Sequence, residues 1–398
     1  MYSMKILFLN EYAPPHQVSG AEYSMQALAE GLRRKIKVYI LSPNLEPTRT
    51  VPVGTVPVGK FPFPKKIKPG QILTPLWFNN PFFWLYSSYW IIKTIKAQKI
   101  DLLHVHGKYI LPGAIIAGRL TNKPVITTVR DFKFLCPLAL CFTHQQGKCG
   151  LNYYINKEIP EYRKRYGRTA KWKLILAKLW QYKLKWFLNR CQQVIAVSPQ
   201  LAKIYQDNGV KKVVSIYNLP PTEVRRDRHQ VNNNIVLSVG KLSFGKGTDC
   251  LIKAAEQLPQ YQFIFAGSLN SSFKLKFPKN CQYLGKVSHD QALRLYKEAG
   301  VFAILSRWPE PLSRAGLEAL SFGLPIVASD RGGNKELVKD NGYLVDPEKP
   351  NAVTQAIVKA INNQTLLSPK SLDLLRTRFN RQQILTSHLN FYQKIIKL

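Results

Sequence analysis

Acidic residues are scarce in this chain: 23 Asp and Glu stand against 58 Lys and Arg, a formal net charge of +35. A protein so short of carboxylates meets anionic partners, which admits nucleic acid, an acidic membrane surface or a phosphorylated substrate. Cysteine is also sparse. Six in 398 residues do not make the disulfide-dense scaffold of a small secreted domain. Long apolar runs are missing. The N-terminal one covers only Ile6 to Leu9, too short for a secretory h-region, so it is expected to be a first buried strand of a cytoplasmic protein. The aromatic stretch from Leu76 to Ile92 is broken by Asn79, Asn80 and Pro81 and falls short of the ~20 apolar residues a spanning helix needs. A helix packed on a sheet is expected there.

A length of 398 residues with 45% hydrophobic content suggests two domains, each able to bury a core. The positive charge is uneven. Residues 1–220 hold 33 basic and 9 acidic side chains, residues 221–398 hold 25 and 14. The first half therefore carries most of the excess. Much of it lies in residues 157–190, where Trp172, Ile175, Leu176, Leu179, Tyr182, Trp186 and Phe187 recur at helical spacing among lysines. Such a helix either packs its apolar side inward or meets an anionic lipid surface.

The stretch Gly300 to Glu336 organises the chain. An apolar run, Val301–Leu305, enters a turn at Trp308-Pro309-Glu310-Pro311, and Leu312–Ser321 reads as a helix with Ser313 as N-cap. Pro325–Ser329 follows as a second strand, a parallel strand–helix–strand unit. Glu310 and Glu318 frame the helix start, where the N–H groups of Ser313, Arg314 and Ala315 and the helix dipole suit a phosphate. A phosphate between carboxylates suits a nucleotide sugar.

Glu310-x7-Glu318, Gly323-Leu324-Pro325-Ile326-Val327-Ala328-Ser329 and Gly332-Gly333-x-x-Glu336 together resemble the donor signature of retaining glycosyltransferases of family 4, which have the GT-B fold. The resemblance covers nearly the whole chain and is best over residues 235–347. It implies two Rossmann-like α/β domains with doubly wound parallel sheets, facing across a cleft. Their expected bounds are 1–218 for the acceptor domain, with a Cys-containing insertion near 132–190, then a linker at 219–234. The donor domain is expected at 235–379, with a last helix, 380–398, crossing back to the first domain. Family members carry Glu-Pro-Phe-Gly where this chain has Glu310-Pro311-Leu312-Ser313, and Gly-Arg-Leu…Lys-Gly where it has Lys241 and Lys246. Lysine at 241 keeps the charge of that arginine and loses its fork.

In the first half, Gly20 and Glu22 stand after strand one, His104 and His106 end a strand that points both to one side, and Arg130-Asp131 ends another. Relatives have His-Asp where this chain has Arg130-Asp131, and a guanidinium cannot serve as a base. By resemblance, Gly20, Glu22, His106, Arg130 and Asp131 line the acceptor side, with His106 catalytic or positioning. Lys241, Lys246, Glu310, Ser313, Arg314, Ala315, Glu318, Gly332, Gly333 and Glu336 bind the donor, a UDP-, GDP- or ADP-sugar. Glu310 and Lys246 join His106 in the expected catalytic set, and front-side attack assisted by the donor phosphate is the implied route. The chain has no Asp-x-Asp pair, so no catalytic metal is expected. Cys136, Cys141 and Cys149 lie close together and are read as free thiols, a zinc or iron–sulfur staple, or a disulfide.

The function expected is transfer of a sugar from a nucleotide sugar to a lipid-linked or polysaccharide acceptor, by a cytoplasmic enzyme peripheral on the inner membrane face. A GT-B epimerase or phosphorylase, or a non-catalytic protein binding anionic surfaces, is the alternative. No nucleic-acid motif accompanies the charge.

Overall fold

The computed structural model describes residues 4–13, 20–43, 58–66, 73, 77–138, 150–166, 170–221, 234–269 and 275–397. Cys141 and Cys149, and most of the expected linker, lie outside them. The chain forms two compact units. One comprises Met1–Pro137, Ala177–Leu219 and Gln382–Leu398; the other comprises Leu138–Leu176 and Pro220–Arg381.

The first unit holds a wholly parallel seven-stranded sheet. Its strands are β1 (Lys5–Leu9), β2 (Lys37–Pro43), β3 (Val58–Phe61), β4 (Leu102–Val105), β5 (Val125–Val129), β6 (Gln193–Ala196) and β7 (Val213–Ser215), in the order β3-β2-β1-β4-β5-β6-β7. Runs such as Ile6–Leu9 and Val125–Val129 are buried throughout, as strands covered on both faces must be. The helices up to the unit's end are α1 (Gly20–Leu32), α2 (Pro81–Gln98) and α3 (Leu111–Thr121). Further along come α4 (Leu151–Tyr153), which runs through a π-turn at Tyr154–Glu158 into α5 (Ile159–Tyr166), both in the segment assigned to the second unit, then α6 (Lys171–Leu188), which shares that segment up to Leu176, and α7 (Pro199–Asp207) of the first unit. Asn80 starts α2 by accepting from the Phe83 N–H at 2.9 Å, so the asparagine that interrupts the aromatic run is a helix cap.

The second unit holds a parallel six-stranded sheet: β8 (Ile235–Val239), β9 (Gln262–Ala266), β10 (Cys281–Gly285), β11 (Val301–Ile304), β12 (Ile326–Ser329) and β13 (Gly342–Val345), ordered β10-β9-β8-β11-β12-β13. Its helices are α8 (Thr248–Glu256), α9 (His289–Glu298), α10 (Arg314–Ser321), α11 (Pro350–Asn362) and α12 (Gln364–Thr377). The last helix, α13 (Arg381–Lys397), puts Ile384, Leu385, Leu389, Tyr392 and Ile395 into one core with Ile6, Phe8, Leu28 and Leu102 of the first unit.

In both sheets the strand order reverses direction once, between β1 and β4 and between β8 and β11. Loops leaving the carboxyl ends of two such strands diverge to opposite faces and leave a crevice where open α/β sheets bind ligands. The loops after β8 and β11 carry Lys246 and Glu310; those after β1 and β4 carry Glu11 and His106.

Candidate functional site

On the second unit, Lys246 ends a 3₁₀ turn, Phe244–Lys246, that leads into α8. Its ammonium donates to both oxygens of Glu310, at 2.8 and 2.7 Å. The Glu310 carboxylate also accepts from the Ser306 hydroxyl at 3.0 Å and the Trp308 indole N–H at 2.8 Å. Burial works to raise the Glu310 pKa, but the Lys246 charge and these three donors outweigh it and hold the carboxyl below its ordinary value. The result is an anchored carboxylate with an ammonium beside it at the reversal point of the sheet.

Two glycines make that placement feasible. Gly332 has φ +59°, and a Cβ there would come within 2.4 Å of the Pro309 carbonyl carbon; at Gly333 it would meet the Pro311 oxygen at 2.0 Å. Only residues without Cβ let the backbones of 309–311 and 332–333 touch. They do so through a bridge between Glu310 and Gly332 and the Gly333 N–H donated to the Glu310 carbonyl at 2.5 Å. Glu336 lies in the following 3₁₀ turn, Gly333–Leu337, with Arg378 at 3.6 Å.

Helix α10 begins at Arg314, two residues later than the sequence suggests, because Pro311 and Leu312 belong to the turn. Ser313 is the N-cap, its hydroxyl accepting from the Gly316 N–H at 3.2 Å. The N–H groups of Ser313 and Ala315 have no hydrogen-bond acceptor among the described residues. Glu318 lies buried on α10 and accepts from Arg314 at 3.0 Å. Beside it, burial and the Glu318 charge keep the Tyr296 phenol protonated. Lys241 follows β8 and is exposed. The expected residues of this unit thus gather at the ends of β8, β11 and β12.

One group here escaped sequence reading. Arg307 is buried; its guanidinium forks onto Asp249 at 2.6 and 2.7 Å, donates to Glu348 at 2.6 Å and to the Phe244 carbonyl at 2.6 Å, and lies on the Phe244 ring. Its backbone N–H donates to Gly245 and its carbonyl accepts from Arg331. Arg307 therefore ties the Lys246 turn to the Glu310 turn. Its partners lie 58 and 41 residues away in sequence, so no local pattern announced it.

On the first unit, His104 and His106 share one side of β4, as the alternation predicts, with ring centroids 4.1 Å apart. His104 bonds the Tyr392 hydroxyl at 2.8 Å and the Thr128 hydroxyl at 2.7 Å. Arg130 stands 2.9 Å from His106 Nδ1. A guanidinium only donates, so Nδ1 accepts and the His106 proton sits on Nε2, which is buried with no partner among the described residues. Burial, then the neighbouring His104 and Arg130, lower the His106 pKa well below its usual value. Burial also lowers that of His104 and draws His388 down to about 3. His106 is thus a neutral, oriented donor.

Around it, Gly20 opens α1, Glu22 is buried on that helix and attracts Arg130, and Asp131 is half-exposed against Lys133 at 3.3 Å. Glu11, absent from the sequence reading, accepts from the N–H groups of Tyr109 and Ile110 at the start of α3. It occupies the space that a side chain at 107 would need. Cys136 is buried and in no disulfide among the described residues. Cys141 and Cys149 are outside the described residues, among which no three His, Cys, Asp or Glu side chains converge as a metal site.

The chain is similar to known proteins in sequence and in fold. The family model "Glycosyltransferase Family 4" matches residues 18–223, more than half of the chain, and "Glycosyl transferases group 1" matches residues 221–378. Spore coat protein SA of Bacillus subtilis is 30% identical over 195 residues, 43% of this chain and 52% of that protein. Alpha-galactosylglucosyldiacylglycerol synthase of Streptococcus pneumoniae is 28% identical over 52% of this chain and 62% of its own length. The chain thus spans only about half to three-fifths of these two relatives. Among solved structures, Anabaena HepE in complex with UDP and glucose superposes with a TM-score of 0.67 at 20% identity, covering 98% of this chain and all of that one. At that identity the likeness establishes the fold, which is GT-B.

Proposed function

From its membership of glycosyltransferase family 4, to which the chain belongs, we propose that it transfers a sugar from a nucleotide-sugar donor to a glycan or lipid-linked acceptor, with retention of anomeric configuration. The observation that carries this reading is the Lys246–Glu310 pair at the reversal point of the second sheet, beside the N-terminus of α10. Lys246, Lys241 and the first N–H groups of α10 are cations and dipoles suited to the negative charge that grows on a departing nucleoside diphosphate. Glu310 is a fixed acceptor for sugar hydroxyls, and Glu318 one for ribose. HepE was crystallised with UDP and with UDP-glucose, which supports a nucleotide sugar without selecting the base.

We assign acceptor recognition to the first unit, around His106, Arg130 and Glu22. An anionic membrane surface is the proposed place of work, because α6 turns the wrong side outward for a soluble packing helix. Leu174, Lys178, Gln181, Leu184 and Leu188 face in, while Trp172, Leu176, Leu179, Tyr182 and Trp186 are exposed. On α2, Phe82, Leu85, Tyr86 and Tyr89 are likewise exposed, ahead of Lys93 and Lys96. Aromatics flanked by lysines fit the interface of an anionic bilayer. No described helix is long and apolar enough to cross one.

The test is nucleotide release from a panel of UDP-, GDP- and ADP-sugars, with and without anionic liposomes. Release from one donor, raised by liposomes, supports both halves of the reading. Release indifferent to lipid removes the membrane half, and no release from any donor overturns the transferase.

A further inference from the structure

The first unit has a second basic concavity, at the opposite end of its sheet. A cavity of about 370 Å³ opens where β5 begins and α3 ends, lined by Ile115, Arg119, Lys123, Val125, Arg190 and Gln192 among others. That volume lies in the range of small-ligand pockets. Val125 opens β5 and Arg130 directly follows its last residue, Val129, so the cavity lies about one strand length, ~15 Å, from Arg130.

Among the described residues nothing neutralises its three cations. No carboxylate lines the cavity, and neither Arg119 nor Lys123 has an ion pair among the described residues. Arg190 is held in place differently: its guanidinium lies on the Trp186 ring and donates to the Trp186 carbonyl at 3.3 Å, while its Nε is buried with no acceptor. Desolvation and then the charge of Arg119 lower the Arg190 pKa. Cations that repel one another are costly to hold together, and an anion among them relieves that cost. At the end of α3 the Arg119 and Gly118 carbonyls accept from the N–H groups of Asn122 and Lys123.

We propose that this cavity binds a phosphate group, held by the cationic side chains of Arg119, Lys123 and Arg190 that line it. The phosphate could belong to a lipid headgroup or to a soluble phosphate ester, since recognition rests on the same oxygens. Trp186 belongs to the exposed stripe of α6, so the cavity adjoins the surface assigned above to the membrane. The lipid source rests on that assignment; the phosphate site does not.

The full chain is titrated with inorganic pyrophosphate by calorimetry, wild type against Arg119→Gln/Lys123→Gln and Lys246→Gln. The first variant changes one exposed and one half-buried side chain, Arg119 and Lys123, and its thermal midpoint is checked against wild type. Loss of about tenfold or more in affinity in Arg119→Gln/Lys123→Gln, retained in Lys246→Gln, supports the site. Unchanged binding in Arg119→Gln/Lys123→Gln, or a loss confined to Lys246→Gln, overturns it, as does no binding by the wild type. Sedimentation with phosphatidylcholine vesicles containing phosphatidic acid then separates the sources. Reduced sedimentation of Arg119→Gln/Lys123→Gln assigns a lipid phosphate; unchanged sedimentation with lost pyrophosphate binding assigns a soluble one. Nucleotide release from the donor, measured on the same proteins, reports the transferase reading separately.

Discussion

Lys246 touches both oxygens of Glu310, so each side chain sets the state of the other. The Glu310 pKa is lowered on folding, so the stabilisation it brings is complete above the ordinary carboxylate value, near 4.5, and is lost as pH falls through the lower folded value. Urea unfolding of wild type and Glu310→Gln between pH 3 and 7 should show curves that differ at pH 7 and converge in acid. Glu310→Ala and Lys246→Ala should each lower turnover by about 10²–10³, the size of losing one preorganised charge partner in a transition state; undiminished transfer in either would remove that residue from the proposed machinery. His106 makes an opposite kind of prediction. With Nδ1 accepting from Arg130, its ¹⁵N spectrum should show one tautomer protonated at Nε2, with no titration between pH 6 and 8. A midpoint inside that window would contradict the oriented-donor assignment.

Elements hold these residues where single side chains could not. The 309–311 and 332–333 backbones meet only because Gly332 and Gly333 lack Cβ atoms. Gly332→Ala is expected to cost about 1–3 kcal/mol in unfolding free energy, since it adds a strained positive φ to a backbone clash, and to weaken donor binding by shifting Glu310. Arg307 joins the two loops of the site through the Asp249 carboxylate, the Phe244 carbonyl and the Phe244 ring. Arg307→Lys keeps the charge but loses the fork, so turnover and thermal midpoint should fall together. A midpoint drop with full turnover would show that the tie is structural only. On α6 the expectation is reversed: Trp172→Ser/Leu179→Ser/Trp186→Ser alters exposed side chains, and should release the protein from anionic vesicles while leaving the melting temperature in place.

For the whole molecule, α13 is the telling segment. It carries Ile384, Leu385, Leu389, Tyr392 and Ile395 into the first core and brings His388 and Tyr392 to His104. Leu389→Ala should cost about 2–5 kcal/mol, as a buried leucine truncation does, measured by denaturant unfolding. His104, His106 and His388 are all held neutral by burial, with pKa values lowered on folding. The unfolded chain binds more protons than the folded one below about pH 6.5, so stability should decline as pH falls from 7 towards 5. His388→Gln should flatten that slope.

The sequence alone determined the parallel α/β character, the strand–turn–helix–strand unit around Glu310 and the family, because each rests on residues close together in the chain. Apolar runs specify buried strands and a serine before a helix caps it, whatever lies elsewhere. The tertiary structure decided what depends on distant partners. Arg307 found Asp249 and Glu348, Glu11 capped α3, and Arg130 selected the tautomer of His106 through contacts that periodicity does not encode. It also decided which side of α6 faces out. The spacing of Trp172, Leu176, Leu179, Tyr182 and Trp186 marks one stripe on a helix but not its direction. Here packing turned Lys178 inward, where its ammonium donates to the Leu135 carbonyl at 2.8 Å, and left the aromatics outside.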